Sequence, residues 1–204
     1  MPDHGQEIEA KFHVLHLDRI MTRLHNLEAR LIQPRVLEIN IRFDRPDGSL
    51  RSRGQVLRLR HDTQSRLTFK GPGQSDGGIL SREEIEFAVE DFEQARKFLH
   101  ALGYQQSMYY EKYRTTYQLD DTLVMLDELP YGNFVEVEGA GAEAIRAVVE
   151  ALEIDHAAAV EKSYTALFDI LRDNLHLTFD DISFENFKQI SVRSSDMNVR
   201  VADR

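Results

Sequence analysis

Along most of this chain apolar and polar residues alternate with a period of two, the spacing of a half-buried β-strand. Eight stretches show it: Glu7–Val14, Arg35–Asp44, Val56–His61, Arg66–Lys70, Ser81–Val89, Ser107–Leu119, Thr122–Glu128 and Phe134–Glu138. Pro46-Asp47-Gly48, Gly71-Pro72-Gly73, Asp76-Gly77-Gly78 and Asp120-Asp121 supply turns between them. Four other segments, Leu17–Ala29, Phe92–Leu102, Ala142–Leu152 and Ser163–Leu171, carry helical spacing, and Gly103 offers a carboxyl-terminal cap to the second. The pattern predicts an α+β domain over residues 1–172. Residues 173–204 turn polar and weakly periodic. There Leu175, Leu177, Phe179, Ile182, Phe184 and Phe187 are expected to pack back, and the last fifteen or so residues to fray.

The polar positions of these strands are unusual because they are almost all charged. Glu7, Glu9 and Lys11 share one strand face, opposite Ile8, Ala10 and Phe12. Glu136 and Glu138 oppose Val135 and Val137, and Arg58 and Arg60 oppose Leu57 and Leu59. Arg66 and Lys70, then Arg82, Glu84 and Glu86, then Lys112 and Arg114 continue the scheme. One strand of this kind reads as a sheet with a wet face. Six of them point instead to a closed sheet, apolar faces outward under the helices and charges in a lumen that is acidic on one wall and basic on the other. Such a lumen suits a polyphosphate, matched by guanidinium and ammonium groups, with a hard divalent cation on the carboxylates. Two Glu-x-Glu pairs supply enough oxygens for one or two Mg²⁺ or Mn²⁺ ions.

Charge and composition narrow the alternatives. A formal net charge of −10 argues against nucleic-acid or anionic-membrane binding driven by net charge, though not against a small anionic ligand. No stretch of about 18 apolar residues suggests a membrane span, and Met1–Gly5 leads into a charged segment without an apolar signal region. A cytoplasmic protein is the expectation. The absence of cysteine excludes disulfides and thiolate ligands, and the eight histidines show no zinc-ligand spacing. Gly71–Gly78 lacks the Lys-Ser/Thr of a phosphate loop and reads as a mobile connection or as a lid over one mouth. Tyr104, Tyr109, Tyr110, Tyr113 and Tyr117 read as core or seam residues, with stacking on a base as the alternative.

The ordered series Glu7-Ile8-Glu9-Ala10-Lys11, Leu57-Arg58-Leu59-Arg60, Thr68-Phe69-Lys70-Gly71-Pro72, Arg82-Glu83-Glu84-Ile85-Glu86, Glu111-Lys112-Tyr113-Arg114, Leu126-Asp127-Glu128, Phe134–Gly139 and Lys162-Ser163-Tyr164 resembles the CYTH superfamily of triphosphate tunnel metalloenzymes. That superfamily includes class IV adenylyl cyclases, thiamine triphosphatases and inorganic tripolyphosphatases. The resemblance implies a closed eight-stranded antiparallel β-barrel with helices outside, binding a triphosphate and Mg²⁺ or Mn²⁺. Carried over by position, Glu7, Glu9, Asp127, Glu136 and Glu138 would bind metal, with Glu84 or Glu86 as further acidic members. Lys11, Arg58, Arg60, Lys70, Arg82, Lys112, Arg114 and Lys162 would bind phosphate, and Glu136, Glu138 and Lys11 would be catalytic. Lys162 would close the tunnel from a helical element, or stand as a solvated helix-end lysine. Arg42 and Asp44 match the family only loosely. Conversion of ATP to cyclic AMP and pyrophosphate is the expected reaction. Alternatives are hydrolysis of tripolyphosphate, thiamine triphosphate or a nucleoside triphosphate, or binding without turnover. A homodimer is a further possibility through the tunnel edges or residues 173–190.

Overall fold

The computed structural model describes residues 5–203, so the expectation of no signal region at Met1–His4 lies outside the described residues. The chain order is β1 (Gln6–Val14), α1 (Leu17–Asn26), β2 (Arg30–Asp44), α2 (Ser49–Ser52), β3 (Val56–His61), β4 (Ser65–Lys70), β5 (Gln74–Asp76), β6 (Ile79–Val89) and α3 (Phe92–Ala101). It continues with β7 (Gln105–Leu119), β8 (Thr122–Leu129), β9 (Gly132–Glu138), α4 (Ala142–Ala151), α5 (Tyr164–Leu175) and α6 (Phe184–Phe187). Eight strands pair antiparallel in the order β1-β9-β8-β7-β2-β3-β4-β6, and β6 returns to β1 through the Glu7–Arg82 register, which closes the barrel. The short β5 pairs with the start of β6, so the glycine-rich segment expected as a loose connection is partly a hairpin. Its turn uses Gly77 and Gly78 at φ +55° and +80°, and a Cβ on Gly78 would fall 2.5 Å from the Ala159 Cβ.

Closure turns the apolar strand faces outward, where helices cover much of them. Ala10, Phe12, Val124, Leu126, Val135 and Val137 pack under Ile20 and Leu24 of α1, Ile145 and Val148 of α4, and Leu152 just after it. On the other side Ile41, Phe43, Leu57 and Leu59 meet Leu99 of α3. Each such aliphatic side chain, fully buried, contributes about 1.5–3 kcal/mol as an upper estimate. Asp91 caps α3 by accepting from the Gln94 amide, and the chain leaves that helix through Gly103 at φ +86°. Strand β2 begins five residues earlier than the alternation indicated and contains Pro34. β3 pairs only with Ile39–Phe43, so the missing amide at Pro34 breaks no bond on that edge, and the β7 side accommodates it with register shifts.

The ends of the barrel differ. At the end where β1 and β8 finish and β7 and β9 begin, Tyr164, Leu167, Phe168 and Leu171 of α5 pack against Tyr110, Leu129, Tyr131 and Phe134 as a stopper. The following segment covers that stopper with Ile182, Phe187 and Met197. The end of the chain does not fray as expected. Val201 bridges to His13, and the Asp203 carboxylate accepts from the Leu15 and His16 amides at 2.8 and 2.7 Å. A carboxylate that satisfies two otherwise orphaned amides at the β1–α1 corner accounts for the order there.

Candidate active site in the barrel lumen

The charged strand faces enclose a cavity of about 390 Å³. Its walls include Glu7, Glu9, Lys11, Arg58, Arg60, Lys70, Arg82, Lys112, Arg114, Glu136 and Glu138, all named from the sequence, together with Glu84, Glu86 and Arg42. Two named residues stand elsewhere. Lys162 is exposed and does not line the cavity; Ser163, Tyr164 and Thr165 do, because the turn into α5 directs those three inward. Asp127 is fully buried behind the wall. It accepts from Lys112 Nζ at 2.8 Å, from Arg114 Nε and Nη2 at 2.6 Å each, and from the Tyr164 hydroxyl at 2.8 Å. Four donors leave it little capacity for a cation; in this structure it fixes the direction of Arg114 and Lys112. Asp44, matched loosely by sequence, caps the α2 turn by accepting from the Leu50 and Arg51 amides at 2.9 and 3.0 Å.

Near the stopper the charges compensate one another. Glu38, which the sequence reading passed over, is 1% exposed and lies 3.6 Å from both Lys112 and Arg60. Burial alone would raise its pKa, but Lys112, Arg114 and Arg60 hold it well below the carboxylate range. The signal was present, since Glu38, Asn40 and Arg42 alternate with Ile39 and Ile41. Glu136 pairs with Lys11 at 3.0 Å and with Arg114. Against the effect of burial, Glu136 and Glu9 raise the Lys11 pKa, which favours its ammonium form. Tyr110 also lines the cavity, 3.4 Å from Arg58, whereas Tyr117 packs against His25 in the outer core.

Two groups break this compensation. Arg42 has no carboxylate partner among the described residues; its guanidinium donates to the Thr165 hydroxyl. Burial, with Arg58, Arg51 and Arg82 nearby, lowers its pKa, as expected for a cation awaiting an anion. On the acidic wall Glu7 pairs with Lys70 at 2.6 Å and Arg82 at 2.7 Å, Glu9 with Arg82 at 3.3 Å, and Glu84 with Lys70 at 3.3 Å. Although burial works the other way, Lys70 and Arg82 bring Glu7 down to about 2. Glu138 has no such partner among the described residues. Burial, then Glu7, Glu9 and Glu84, push its carboxyl up to about 7.

A divalent cation fits the chemistry of this wall: the donors are hard carboxylate oxygens, and one of them lacks the positive charge it calls for. With Glu7 and Glu9 tied to Lys70 and Arg82, no three acidic or imidazole groups among the described residues are gathered as a ligand set.

Residues 5–164 match the CYTH domain model. The chain belongs to the CYTH family. A Methanocaldococcus jannaschii protein named as a putative adenylate cyclase is 28% identical over 172 residues, covering 79% of this CYTH chain and 97% of that protein. Among solved structures, a putative adenylate cyclase from Vibrio parahaemolyticus superposes with TM-score 0.74 at 19% identity, over 82% of this chain and 99% of that one. A putative adenylyl cyclase from Hippeastrum, described as having a dominant triphosphatase activity, superposes with TM-score 0.60 at 16% identity, over 80% and 95%. At these identities the two structures establish the CYTH barrel fold.

Proposed function

We propose that this protein is a divalent-cation-dependent enzyme acting on a triphosphate held in the lumen, with Mg²⁺ or Mn²⁺ as the cation. The observation that carries the reading is the opposition of a basic wall containing Arg42 to an acidic wall containing Glu138, each without an oppositely charged partner among the described residues. Without ligand, Lys70 and Arg82 neutralise Glu7 and Glu9. A triphosphate would draw these cations to its own oxygens and free the carboxylates for metal, so the two ligands would exchange partners with the walls. Arg58, Arg60, Lys112 and Arg114 would grip the phosphates, Arg114 held in place by Asp127. Lys11, kept charged by Glu136, would donate to the phosphate oxygens on which negative charge builds. Glu138, with Glu7, Glu9 and Glu136, would hold the cation. When bound, that cation supplies charge neutralisation at the phosphates and acidifies the attacking hydroxyl or water.

The reaction favoured is the one named for the relatives, adenylyl cyclisation. The ribose 3′-oxygen bonds to the α-phosphorus, the bond from that phosphorus to the bridging oxygen breaks, and pyrophosphate leaves. The hydroxyl proton would pass to solvent at the acidic wall, where Glu138 would hold the cation. A second reading, hydrolysis with water attacking the terminal phosphorus, is supported by the triphosphatase activity described for the Hippeastrum protein. Product analysis after incubation with ATP, and separately with tripolyphosphate, in Mg²⁺ or Mn²⁺ decides between them. Cyclic AMP with pyrophosphate supports cyclisation, and orthophosphate without cyclic AMP supports hydrolysis. No turnover of either, nor of thiamine triphosphate, with either cation, would remove the enzyme reading.

A further inference from the structure

Two tyrosine rings among the described residues line the cavity, and they reach it by different routes. Tyr110 stands on β7, whereas Tyr164 is the first residue of α5 and enters from the stopper. Three contacts fix Tyr164. Its hydroxyl donates to Asp127 Oδ2 at 2.8 Å, its carbonyl accepts from the Tyr131 hydroxyl at 2.8 Å, and its ring meets that of Phe134 at 69° with centroids 5.1 Å apart. Burial, then Asp127 and Glu136, push its own pKa well above the ordinary tyrosine value, so the phenol stays neutral and keeps donating. The ring held in this way faces two ammonium groups. Lys11 Nζ of β1 is 4.5 Å from its centroid, and Lys112 Nζ of β7 is 5.1 Å away.

The two lysines depend on that ring unequally. Lys112 also donates to Asp127 at 2.8 Å, a carboxylate fully buried behind the wall and already filled with donors. Lys11 instead has Glu136 at 3.0 Å and the charge of Glu9 farther off. Those two carboxylates are among the ones assigned above to the divalent cation. A metal on Glu136 and Glu9 draws on the oxygen that holds Lys11 and cancels the negative charge that attracts it. What remains beside Lys11 is the face of Tyr164, whose quadrupole attracts an ammonium, most strongly where water is excluded. That face offers a hard cation no oxygen, so metal and lysine do not compete for it.

We propose that Tyr164 is a positioning residue, whose ring face keeps the Lys11 ammonium charged and aimed at the phosphates once a divalent cation has taken Glu136 and Glu9. This rests on the triphosphate reading above and adds to it a residue from outside the barrel. The stopper then does more than close one end of the lumen, because its first residue holds a lysine of β1 in place.

The test is the affinity for a methylene-bridged tripolyphosphate, which resists cleavage, measured by calorimetry with and without Mg²⁺. Three chains are compared: wild type, Tyr164→Phe, and a chain carrying pentafluorophenylalanine at position 164. Tyr164→Phe removes the hydroxyl and keeps the ring face, so it is the reference for fluorination, which reverses the charge of that face with little change in size. With Mg²⁺ the pentafluoro chain is expected to bind about tenfold more weakly than Tyr164→Phe, the size of a desolvated contact between a cation and a ring. Without Mg²⁺ the two should agree within about twofold, since Glu136 still holds Lys11. A fluorination penalty that is absent, or equal with and without Mg²⁺, would overturn the proposal while leaving the triphosphate reading intact. Loss of binding in Tyr164→Phe itself would also overturn it, by placing the role in the hydroxyl. Failure of the wild-type chain to bind the analogue, with or without Mg²⁺, would overturn both. Should the pentafluoro chain unfold, as circular dichroism would show, a difluorophenylalanine at the same position carries the test.

Discussion

Glu136 and Glu138 stand two residues apart on one face of β9, yet they belong to different regions of the lumen. Glu136 lies in the inner region, where Lys11, Arg114, Lys112, Glu38, Asp127 and Tyr164 balance one another and nearly every donor has its acceptor. Glu138 lies with Glu7, Glu9 and Glu84, where negative charge exceeds the local supply of cations. The inner region resembles a protein core built from ions; the outer one is held ready for something absent from the chain. Completed ion networks mainly specify shape, whereas an unbalanced one stores an unmet demand that a ligand can satisfy.

The largest expected effect comes from breaking the inner region. Asp127→Ala leaves Lys112 and Arg114 buried without their main partner and should cost about 3–5 kcal/mol of stability, measured by urea unfolding. Glu138→Gln, by contrast, should unfold no more easily than wild type. A loss comparable to that of Asp127→Ala would erase the distinction between the regions. In activity the order reverses, since Glu138→Gln should lower turnover about a hundredfold, or about 2.7 kcal/mol in the barrier.

The distinction can be sharpened with pH. The raised Glu138 pKa means that the folded chain binds this proton more tightly than the unfolded chain does. Its contribution to stability is therefore complete below about 4.5 and is lost as pH rises through about 7. Cation affinity should run the other way, rising up to about tenfold per pH unit as the competing proton leaves and levelling off above 7. Mg²⁺ titrations between about pH 5.5 and 8, flattened in Glu138→Gln, would confirm the sign. The smallest effect is expected at the periphery, where Asp203→Asn should cost about 1 kcal/mol by loosening the hold on Leu15 and His16.

Much of the barrel was legible because a charge at every second position is hard to reconcile with anything but a polar lumen or a wet sheet face; the number of such strands favoured the lumen, and the resemblance of the motif series to the CYTH superfamily implied the closed eight-stranded form. Individual roles were less legible. Asp127 and Glu136 look alike in sequence as strand carboxylates, and only three-dimensional packing shows that Tyr164, Lys112 and Arg114 converge on the first. Lys162 was assigned to the lumen on its place in a motif, yet the turn into α5 points its neighbours inward instead. The fate of the chain end was not legible either. Its order depends on two amides about 188 residues away in sequence, and local composition carries no trace of so distant a partner.

That distant partner has a consequence for how the molecule comes into being. β1 is made before the other strands, but its two neighbours are β6 and β9, and its far corner is also held by Val201, Ala202 and Asp203. At roughly 5–20 residues per second, β1 would spend several seconds waiting for β9 and longer for the final clasp. Both edges of this alternating strand are open until β6 is made, and one stays open until β9 follows. Closing the barrel is therefore a late event in the life of the nascent chain, and a chain cut short before residue 201 would lack the clasp that fixes its opening strand.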